Sequence, residues 1–391
     1  MPLLSRKATL TVEAAAWLFT AVMLVQTFHK AYRVQGYDFS ARLEQTRAFF
    51  HGIDPYGVAT TFPLTYPLFN CVFLAPLAFM PYAPANLLWF ILSGACLWFA
   101  VRYLLRAFDP NVAQSDVGAL FALGFLLSFD IVQNNFLNGQ TNFLLLALCV
   151  LCFKYLREKR PVASGLCLAA GIAVKVTPLI LVAYLVARRA WMVLAWALAG
   201  SLVFVVGLPW TLRGGAIWNY YHGYVVNYLL PQITYGAGSV PPSRSFAFGV
   251  YLRTAVPSLH GTLASLLGAA LVLAPLVLLT ARTPPDSTRR QTLLFAAFLA
   301  AILWISPVSE THHLALLLPA AVILIYHFLA TGELGLARRL LPPATIYVLL
   351  WLGQFTFTAY FAGIGTCYAL LCAAALHETA SLSKRPAVPR A

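Results

Sequence analysis

Long apolar runs separated by short basic connections constrain the fold of this chain more than any other feature of its sequence. The first run, Ala8 to Phe28, has roughly the 20 residues that an α-helix needs to cross a bilayer. Of the 391 residues, 61% are hydrophobic and 10% are charged, whereas soluble domains carry about 25% charged residues. The pattern predicts an all-α, polytopic membrane protein whose first helix is retained rather than cleaved as a signal peptide.

The positions of the basic residues predict the orientation in the membrane. Most of the 26 lysines and arginines fall in one set of short connections: Arg6, Lys7, Arg102, Arg106, Lys154, Arg157, Lys159, Arg160, Arg188, Arg189, Arg282, Arg289, Arg290, Arg338, Arg339, Lys384, Arg385 and Arg390. By the positive-inside rule these connections lie on the cytoplasmic side. This distribution explains the net charge of +14 without a nucleic-acid partner, and none is expected.

The remaining polar segments are then expected on the outer side. They are the first outer loop (29–82), the turn 138–142, an aromatic-rich segment (209–261) and residues 306–313. The whole chain, 1–391, is interpreted as a single transmembrane domain with about twelve crossings. Rings at the density found in 209–261 are typical of the headgroup level, so this segment is expected to lie along the membrane.

Two short helices are predicted in the first outer loop. Ser40 is suited to cap an amphipathic helix over 41–50, and the apolar run 68–80 has only about 13 residues, so both helices are expected at the interface.

Further along the chain, 117–137 is interpreted as one outward crossing, with Asp130 buried near a cavity floor. The segments 162–173 and 176–187 are two short halves joined at a tip that carries Lys175.

Six motifs follow one another between these elements: Gly36-Tyr37-Asp38-Phe39, Gly52-Ile53-Asp54-Pro55-Tyr56, Thr65-Tyr66-Pro67, Asn138-Gly139-Gln140-Thr141-Asn142, Gly171 to Lys175 with Pro178, and Ser306-Pro307 with His312-His313. In order and spacing they resemble glycosyltransferase family 87. These are membrane-embedded enzymes of the GT-C type that include mycobacterial polyprenol-phosphate-mannose-dependent alpha-mannosyltransferases. The resemblance runs from the first helix to about residue 320.

The resemblance implies a GT-C type helical bundle and an inverting transfer. A polyprenyl-phosphate sugar, with mannose expected, would be the donor, and a lipid or glycan hydroxyl would be the acceptor. The reaction would take place on the periplasmic side of the inner (plasma) membrane, among membrane lipids. One carboxylate of the first outer loop would act as the base.

Asp38 is the first candidate for that base. An acceptor hydroxyl loses a proton as it attacks, so a positioned carboxylate helps, and the amide dipoles of the predicted short helix favour its ionised form. The alternative for Asp38 is an ordinary solvated loop carboxylate. Asp54 is the rival base, although its Asp-Pro-Tyr-Gly setting is typical of a turn in which Asp bonds its own backbone.

Lys175 is the candidate for binding the donor phosphate, because an ammonium between two apolar halves is costly without an anion or water nearby. The alternative is a lysine that snorkels to the interface. His312 and His313 begin an inward helix, and adjacent helical residues point about 100° apart, so at most one is expected to face the cavity. Either histidine could instead be satisfied by water or backbone.

Gln140, Asn138 and Asn142 are candidates to bond sugar hydroxyls, with polar capping of a tight connection as the alternative. Tyr66, in the Thr-Tyr-Pro motif, is a substrate-binding candidate by the resemblance. Glu310 is an outer-face acid available to the acceptor.

Several chemistries have no signal in the sequence. It contains no Asp-x-Asp pair, no Walker loop, no dinucleotide fingerprint and no zinc-ligand spacing. A nucleotide-sugar donor and ATP drive are therefore not expected, and neither is a cofactor, with a divalent cation at the phosphate left open.

Two alternatives to a mannosyltransferase remain at this point. A pentose such as arabinofuranose competes as the donor sugar. A polyprenyl-lipid transporter or flippase predicts a midplane site, broken helices in corresponding halves and internal symmetry. The sequence has one evident pair of short halves, and its polar groups lie on one face, which favours the enzyme.

Overall fold

The computed structural model describes residues 6–35, 37–60, 64–238, 240–307, 309–330 and 336–383. Gly36 of the first motif and the basic residues Lys384, Arg385 and Arg390 lie outside the described residues. The described part of the chain contains helices and no strand, which confirms the all-α expectation.

The N-terminal half consists of helices of very different lengths. They are α1 (Arg6–Val34), α2 (Tyr37–Phe50), α3 (Phe69–Ala78), α4 (Tyr82–Phe108), α5 (Gln114–Leu127), α6 (Phe129–Leu137), α7 (Asn142–Arg157), α8 (Pro161–Val174), a 3-10 turn (Thr177–Ile180) and α9 (Leu181–Ala187). Helices α2 and α3 pack against each other, and both are too short to span a bilayer. Because α2 begins at Tyr37, Asp38 lies in its first turn and Ser40 lies inside it, so the prediction that Ser40 caps this helix is wrong.

The expected crossing over 117–137 is not one straight helix, because the chain bends by 79° between α5 and α6. Ser128 at the break has φ −111° and ψ 23°, outside the helical region. Asp130 follows the bend and is exposed, where it accepts a hydrogen bond from Gln354. Its predicted burial at a cavity floor is therefore wrong as well.

The predicted pair of short halves is confirmed as α8 and the 3-10 turn with α9. Lys175 is extended, with φ −159° and ψ 131°, and its backbone N–H closes the last turn of α8 on Gly171. Pro178 has no N–H to donate to the carbonyl of Val174, and its ring would clash with that carbonyl in a continuing α-helix. The lysine side chain therefore leaves the backbone at a break between two helical pieces.

The C-terminal half completes the bundle. Its elements are α10 (Trp191–Ser201), a π-helical segment (Leu202–Gly207), α11 (Leu208–Arg213), α12 (Ala216–Tyr224), a second π-helical segment (Val225–Leu229), α13 (Leu230–Tyr235), 3-10 turns (Gly236–Gly238 and Pro242–Arg244), α14 (Phe248–Ala255), α15 (Gly261–Ala281), α16 (Thr288–Ile305), a 3-10 segment (Thr311–Leu317), α17 (Leu318–Ala330), α18 (Leu336–Leu352) and α19 (Phe357–Ser383).

Within the described residues, six helical segments are long and apolar enough to cross a membrane: Tyr82–Phe108, Trp191–Arg213, Gly261–Ala281, Thr288–Ile305, Thr311–Ala330 and Phe357–Glu378. The bent α5–α6 pair would be a seventh. The chain is thus a multi-pass membrane protein, while the expected number of about twelve crossings is not confirmed.

Helix α16 forms the centre of the bundle. Its residues Leu293 to Leu303 are all buried, as expected for a helix that is apolar on every side, and it contacts α4, α15, α17 and α19. The 3-10 segment 311–317 follows α16 in the chain and packs on α6 and α7. The central helix therefore fixes the segment that carries both candidate histidines.

Candidate functional site

Four segments that are distant in sequence meet at one place in the structure. They are the first turn of α2, the turn between α6 and α7, the break after α8, and the 3-10 segment 311–317. Asn135 and Asn142, on α6 and α7, both donate side-chain N–H groups to the carbonyl oxygen of His312, at 2.9 and 3.1 Å. These bonds hold the histidine segment against the α6–α7 turn.

Asp38 is bound directly by that turn. The Nε2 group of Gln140 donates to Oδ2 of Asp38, and the hydroxyl of Tyr66 donates to Oε1 of Gln140 at 3.5 Å. Gly139 makes the tight turn with φ +56°, and a Cβ there would lie 2.6 Å from the Cβ of Phe39. Glycine is required because a side chain would be strained in this conformation and would collide with α2.

Lys175 contacts the ring of Tyr66, whose hydroxyl bonds Gln140. Its Nζ is 3.2 Å from Oδ1 of Asn142, 2.5 Å from Nε2 of His313 and 5.7 Å from the centre of the Tyr66 ring. Both polar atoms of the Asn142 side chain are therefore bonded within the protein. Beside this polar contact, Val176 and Leu179 are exposed at the tip of the two short halves, so an apolar surface adjoins the lysine.

The two histidines differ in their surroundings. Glu310 and His313 form a capping box, in which the backbone N–H of Glu310 donates to Nδ1 of His313 at 2.8 Å. This leaves Nε2 of His313 facing Lys175. His312 is buried, and its Nδ1 lies 3.5 Å from Oε2 of Glu310. His313 rather than His312 therefore contacts the lysine.

Arg42 belongs to the site but was missed from the sequence. It is 3% exposed, its Nε donates to the backbone oxygen of Asp38 at 3.0 Å, and its Nη2 donates to the backbone oxygen of Gly139. The guanidinium also lies 5.7 Å from the centre of the Tyr66 ring. The available signal was an arginine four residues after Asp38, on the same face of a helix.

Burial changes the protonation of both charged candidates. It raises the pKa of the Asp38 carboxyl, an effect that the charges of Arg42 and Lys175 partly oppose. Burial, reinforced by the charge of Arg42, lowers the pKa of Lys175 to about 7, with Glu310 and Asp38 acting in the opposite direction. The site thus holds an amine poised between its charged and neutral forms near pH 7, next to a carboxylate that accepts protons more readily than usual.

Asp54 lies in a separate contact cluster. Its Oδ1 accepts a hydrogen bond from the backbone N–H of Tyr56 at 3.0 Å, which is the turn geometry that its sequence setting predicts. The Tyr56 ring stacks on Tyr224 of α12 with centroids 5.1 Å apart, and the Tyr220 hydroxyl donates to the carbonyl oxygen of Gly52 at 3.0 Å. The aromatic-rich segment therefore packs on the first outer loop through this turn.

No group of three His, Cys, Asp or Glu side chains within the described residues is arranged to hold a metal ion. The groups available for binding are the carboxylate, amide, phenol, imidazole and amine side chains already described. Together they can hold an anionic group at the amine and accept a proton at the carboxylate.

Comparison with known proteins gives a consistent family match. The model described as "Glycosyltransferase family 87" matches residues 64–307. The chain is 29% identical over 267 residues to a polyprenol-phosphate-mannose-dependent alpha-(1-2)-phosphatidylinositol pentamannoside mannosyltransferase of Mycobacterium tuberculosis, covering 67% of this chain and 58% of that relative. It is 24% identical over 343 residues to a polyprenol-phosphate-mannose-dependent alpha-(1-2)-phosphatidylinositol mannoside mannosyltransferase of the same species, covering 83% and 77%.

A third relative is a polyprenol-phosphate-mannose-dependent alpha-(1-2)-phosphatidylinositol pentamannoside mannosyltransferase of Mycolicibacterium smegmatis. It is 29% identical over 160 residues, which make up 41% of this chain and 37% of that protein. The chain therefore spans between about a third and three quarters of the curated relatives that it matches.

Proposed function

This chain belongs to glycosyltransferase family 87, and we propose that it transfers a sugar from a polyprenyl-phosphate donor to a hydroxyl group of a lipid or glycan acceptor. The sugar carbon inverts its configuration in a single displacement, and Asp38 is the general base. The observation that carries the proposal is the convergence of Asp38 and Lys175 on one chain of contacts through Gln140 and Tyr66.

Asp38 has the properties that the base requires. The acceptor hydroxyl loses its proton while its oxygen attacks the sugar carbon, so the carboxylate must be positioned before the reaction. Gln140 holds Oδ2, which leaves Oδ1 to accept the proton. Burial raises the Asp38 pKa, which increases the proton affinity of the base at neutral pH.

Lys175 and His313 meet the needs of the leaving group. As the bond from the sugar to the phosphate oxygen breaks, a phosphodiester becomes a phosphomonoester and gains negative charge. A nearby ammonium stabilises that charge most as it develops. Val176 and Leu179 are exposed at the same tip as Lys175. The tip therefore offers an amine to the phosphate of the donor and an apolar surface to its polyprenyl chain.

The hydrogen bonds also indicate how the protonation state of Lys175 changes when the donor binds. Because Nδ1 of His313 accepts a backbone N–H, the neutral ring carries its hydrogen on Nε2 and donates it to the neutral amine of Lys175. An arriving phosphate favours protonation of this amine. The ammonium then turns from Nε2 toward the anion, and both side chains become donors to the phosphate.

Mannose is the proposed sugar, because the relatives are named for dependence on polyprenol-phosphate mannose. Their named acceptors are phosphatidylinositol mannosides, and a lipid-linked or glycan hydroxyl is proposed here. Gln140 and Asn142 position Asp38 and Lys175, while the Glu310 side chain, 60% exposed, is available to the acceptor. The proposed side of this reaction is the periplasmic side of the plasma membrane, which the positive-inside rule supports.

The arrangement of broken elements favours transfer over transport. The bent α5–α6 pair and the short α8–α9 pair both belong to the N-terminal half of the chain. A transporter built from repeats places such breaks at corresponding positions of two halves.

The proposal is tested with the purified protein in lipid nanodiscs, given mannose, glucose or arabinofuranose on a polyprenyl phosphate, with total cell lipids as the acceptor source. Mannose transfer to a lipid, with release of polyprenyl phosphate, is expected. Transfer of arabinofuranose alone would replace the sugar and keep the mechanism. No transfer from any donor, together with donor translocation across reconstituted vesicles, would contradict the proposal and support a flippase.

A further inference from the structure

We propose that Arg42 is a positioning residue that holds Asp38 and the α6–α7 turn in one arrangement and supplies the permanent positive charge that keeps the Asp38 carboxylate ionised. The inference rests on the proposed role of Asp38 as the base. It concerns a side chain that lies outside the six sequence motifs and touches the backbone on both sides of the Asp38–Gln140 bond.

The geometry of the Arg42 guanidinium supports the positioning role. Arg42 lies one helical turn after Asp38, and its Nε bonds the backbone oxygen of that residue at 3.0 Å. Its Nη2 bonds the backbone oxygen of Gly139, which immediately precedes Gln140. One planar group therefore joins two backbone segments whose side chains bond each other. A lysine could not form both bonds, because it lacks the fixed fork of donors.

Burial of the Arg42 charge has a free-energy cost. Arg42 is 3% exposed, and its Nη1 is buried without a hydrogen-bond partner among the described residues. None of the ion pairs within 4.0 Å in the described part of the chain includes it. Burying a guanidinium without an ion-pair partner destabilises the fold. We expect such a cost where the charge takes part in the function of the site. Bonds to two carbonyl oxygens do not in themselves require a charge, because neutral N–H groups also donate to carbonyl oxygens.

Two positive charges act on Asp38. Arg42 faces it from α2 and Lys175 from the break after α8, and both oppose the effect of burial on the Asp38 pKa. The centre of the Tyr66 ring is 5.7 Å from each of these two cations. Glu310 contributes to the electrostatic field at both Tyr66 and Lys175.

The two cations differ in whether their charge is constant. Lys175 loses its proton near pH 7, because burial lowers its pKa to about 7, and His313 contacts it as a hydrogen-bond partner. A guanidinium stays charged throughout this pH range. Arg42 is thus the charge that Asp38 retains whether or not Lys175 is protonated.

The test is the pH dependence of kcat with saturating donor and acceptor, measured for Arg42→Gln and Arg42→Lys. Removal of a positive charge that acts on a carboxyl group raises the pKa of that group. Arg42→Gln should therefore move the midpoint of the acid limb upward, with activity partly recovered at higher pH. Arg42→Lys should keep the midpoint near that of the wild type and lower kcat at all pH values, because the charge remains and the fork is lost.

Arg47→Gln is the matched control. Arg47 is on the same helix, and its Nε likewise donates to a backbone oxygen, that of Ala78, at 2.6 Å. The acid limb of the pH profile of kcat should be unchanged in the Arg47→Gln variant. A uniform loss in Arg42→Gln with an unchanged midpoint would reduce Arg42 to a structural clamp and overturn the electrostatic part of the proposal.

If Arg42→Gln fails to fold, the Arg42→Lys variant still tests the electrostatic role. A raised midpoint of the acid limb in the lysine variant, which keeps the positive charge, would contradict that role. Wild-type kcat in the lysine variant would contradict the positioning role. A failure of the proposed function would give a different result. If Asp38 is not the base, the Asp38→Asn variant should turn over normally, whatever the activity of the Arg42 variants.

Discussion

Replacement of Lys175 by methionine removes the ammonium and keeps most of the length and the apolar stem of the side chain. The residue lies between Asn142, His313 and the Tyr66 ring, at a tip with exposed apolar side chains. If this amine binds the donor phosphate, Lys175→Met should weaken donor binding much more than it weakens folding.

The size of the effect follows from charge and proton affinity. Unit charges about 4 Å apart attract by about 4 kcal/mol at an effective dielectric of about 20. Because the pKa of Lys175 is about 7, protonating the amine costs almost nothing near pH 7, so most of this attraction is available to the donor. Allowing for residual hydration, a loss of about 2–4 kcal/mol is expected, or about 30-fold to 700-fold in donor affinity.

Protonation of Lys175 also determines the direction in which donor affinity changes with pH. Only the protonated amine attracts the phosphate, and raising the pH through about 7 removes that proton. Donor affinity of the wild type should therefore fall as the pH rises above about 7, by up to about tenfold for each unit, until the total loss reaches that of the Lys175→Met variant. Lys175→Met has no such group, so its affinity should be nearly constant.

The measurement is donor affinity in nanodiscs without acceptor, between about pH 6 and 9, where the phosphodiester keeps its charge. Lys154→Met is the matched control, since Lys154 pairs with Glu158 at 2.8 Å on the end of α7 and should leave donor binding unchanged. Affinity for Lys175→Met within twofold of wild type across this range would refute the reasoning and leave Lys175 as an interfacial lysine.

Two further substitutions test the surroundings of the site. His313→Ala should lower turnover by about 10-fold to 100-fold, because it removes the imidazole that contacts the lysine, whereas His312→Ala should mainly lower the melting temperature; equal and negligible losses of turnover would return both to a structural role. Gly139→Ala should lower the melting temperature and turnover together, because its Cβ would lie 2.6 Å from the Cβ of Phe39, whereas nothing lies within 4 Å of a Cβ at the control position Gly94; equal melting temperatures for the two variants would contradict this account.

The lengths of the apolar elements could be predicted from the sequence, but their directions could not. The two short halves around Lys175 were visible because a charge and Pro178 interrupt an apolar run. The 79° bend between α5 and α6 was not visible, because the run continues through Ser128 and hydropathy reports burial rather than direction. Asp130 was predicted to be buried because the apolar run around it reads as one continuous helix, whereas it lies exposed after the bend.

The candidate site was predictable where a residue type is unusual for its surroundings. Lys175 was found in this way. Arg42 was missed because an arginine on a short amphipathic helix is ordinary in sequence. Its importance arises from a contact with Gly139, 97 residues away, which depends on how the chain folds. His312 and His313 could be expected to differ, but the choice of His313 required the capping box with Glu310.

Turnover of Asp38→Asn, measured together with donor affinity on monodisperse protein, tests the central claim most directly. Asparagine keeps the size and most hydrogen bonds of Asp38 but cannot accept the proton, so kcat should fall about 100-fold to 10,000-fold while donor affinity stays close to that of the wild type. Asp54→Asn is the matched control, because its Oδ1 bonds the Tyr56 backbone in a turn, and it should show a smaller, temperature-dependent loss. Near-normal turnover of Asp38→Asn, with turnover lost and donor binding retained in Asp54→Asn, would contradict the account and move the base to Asp54.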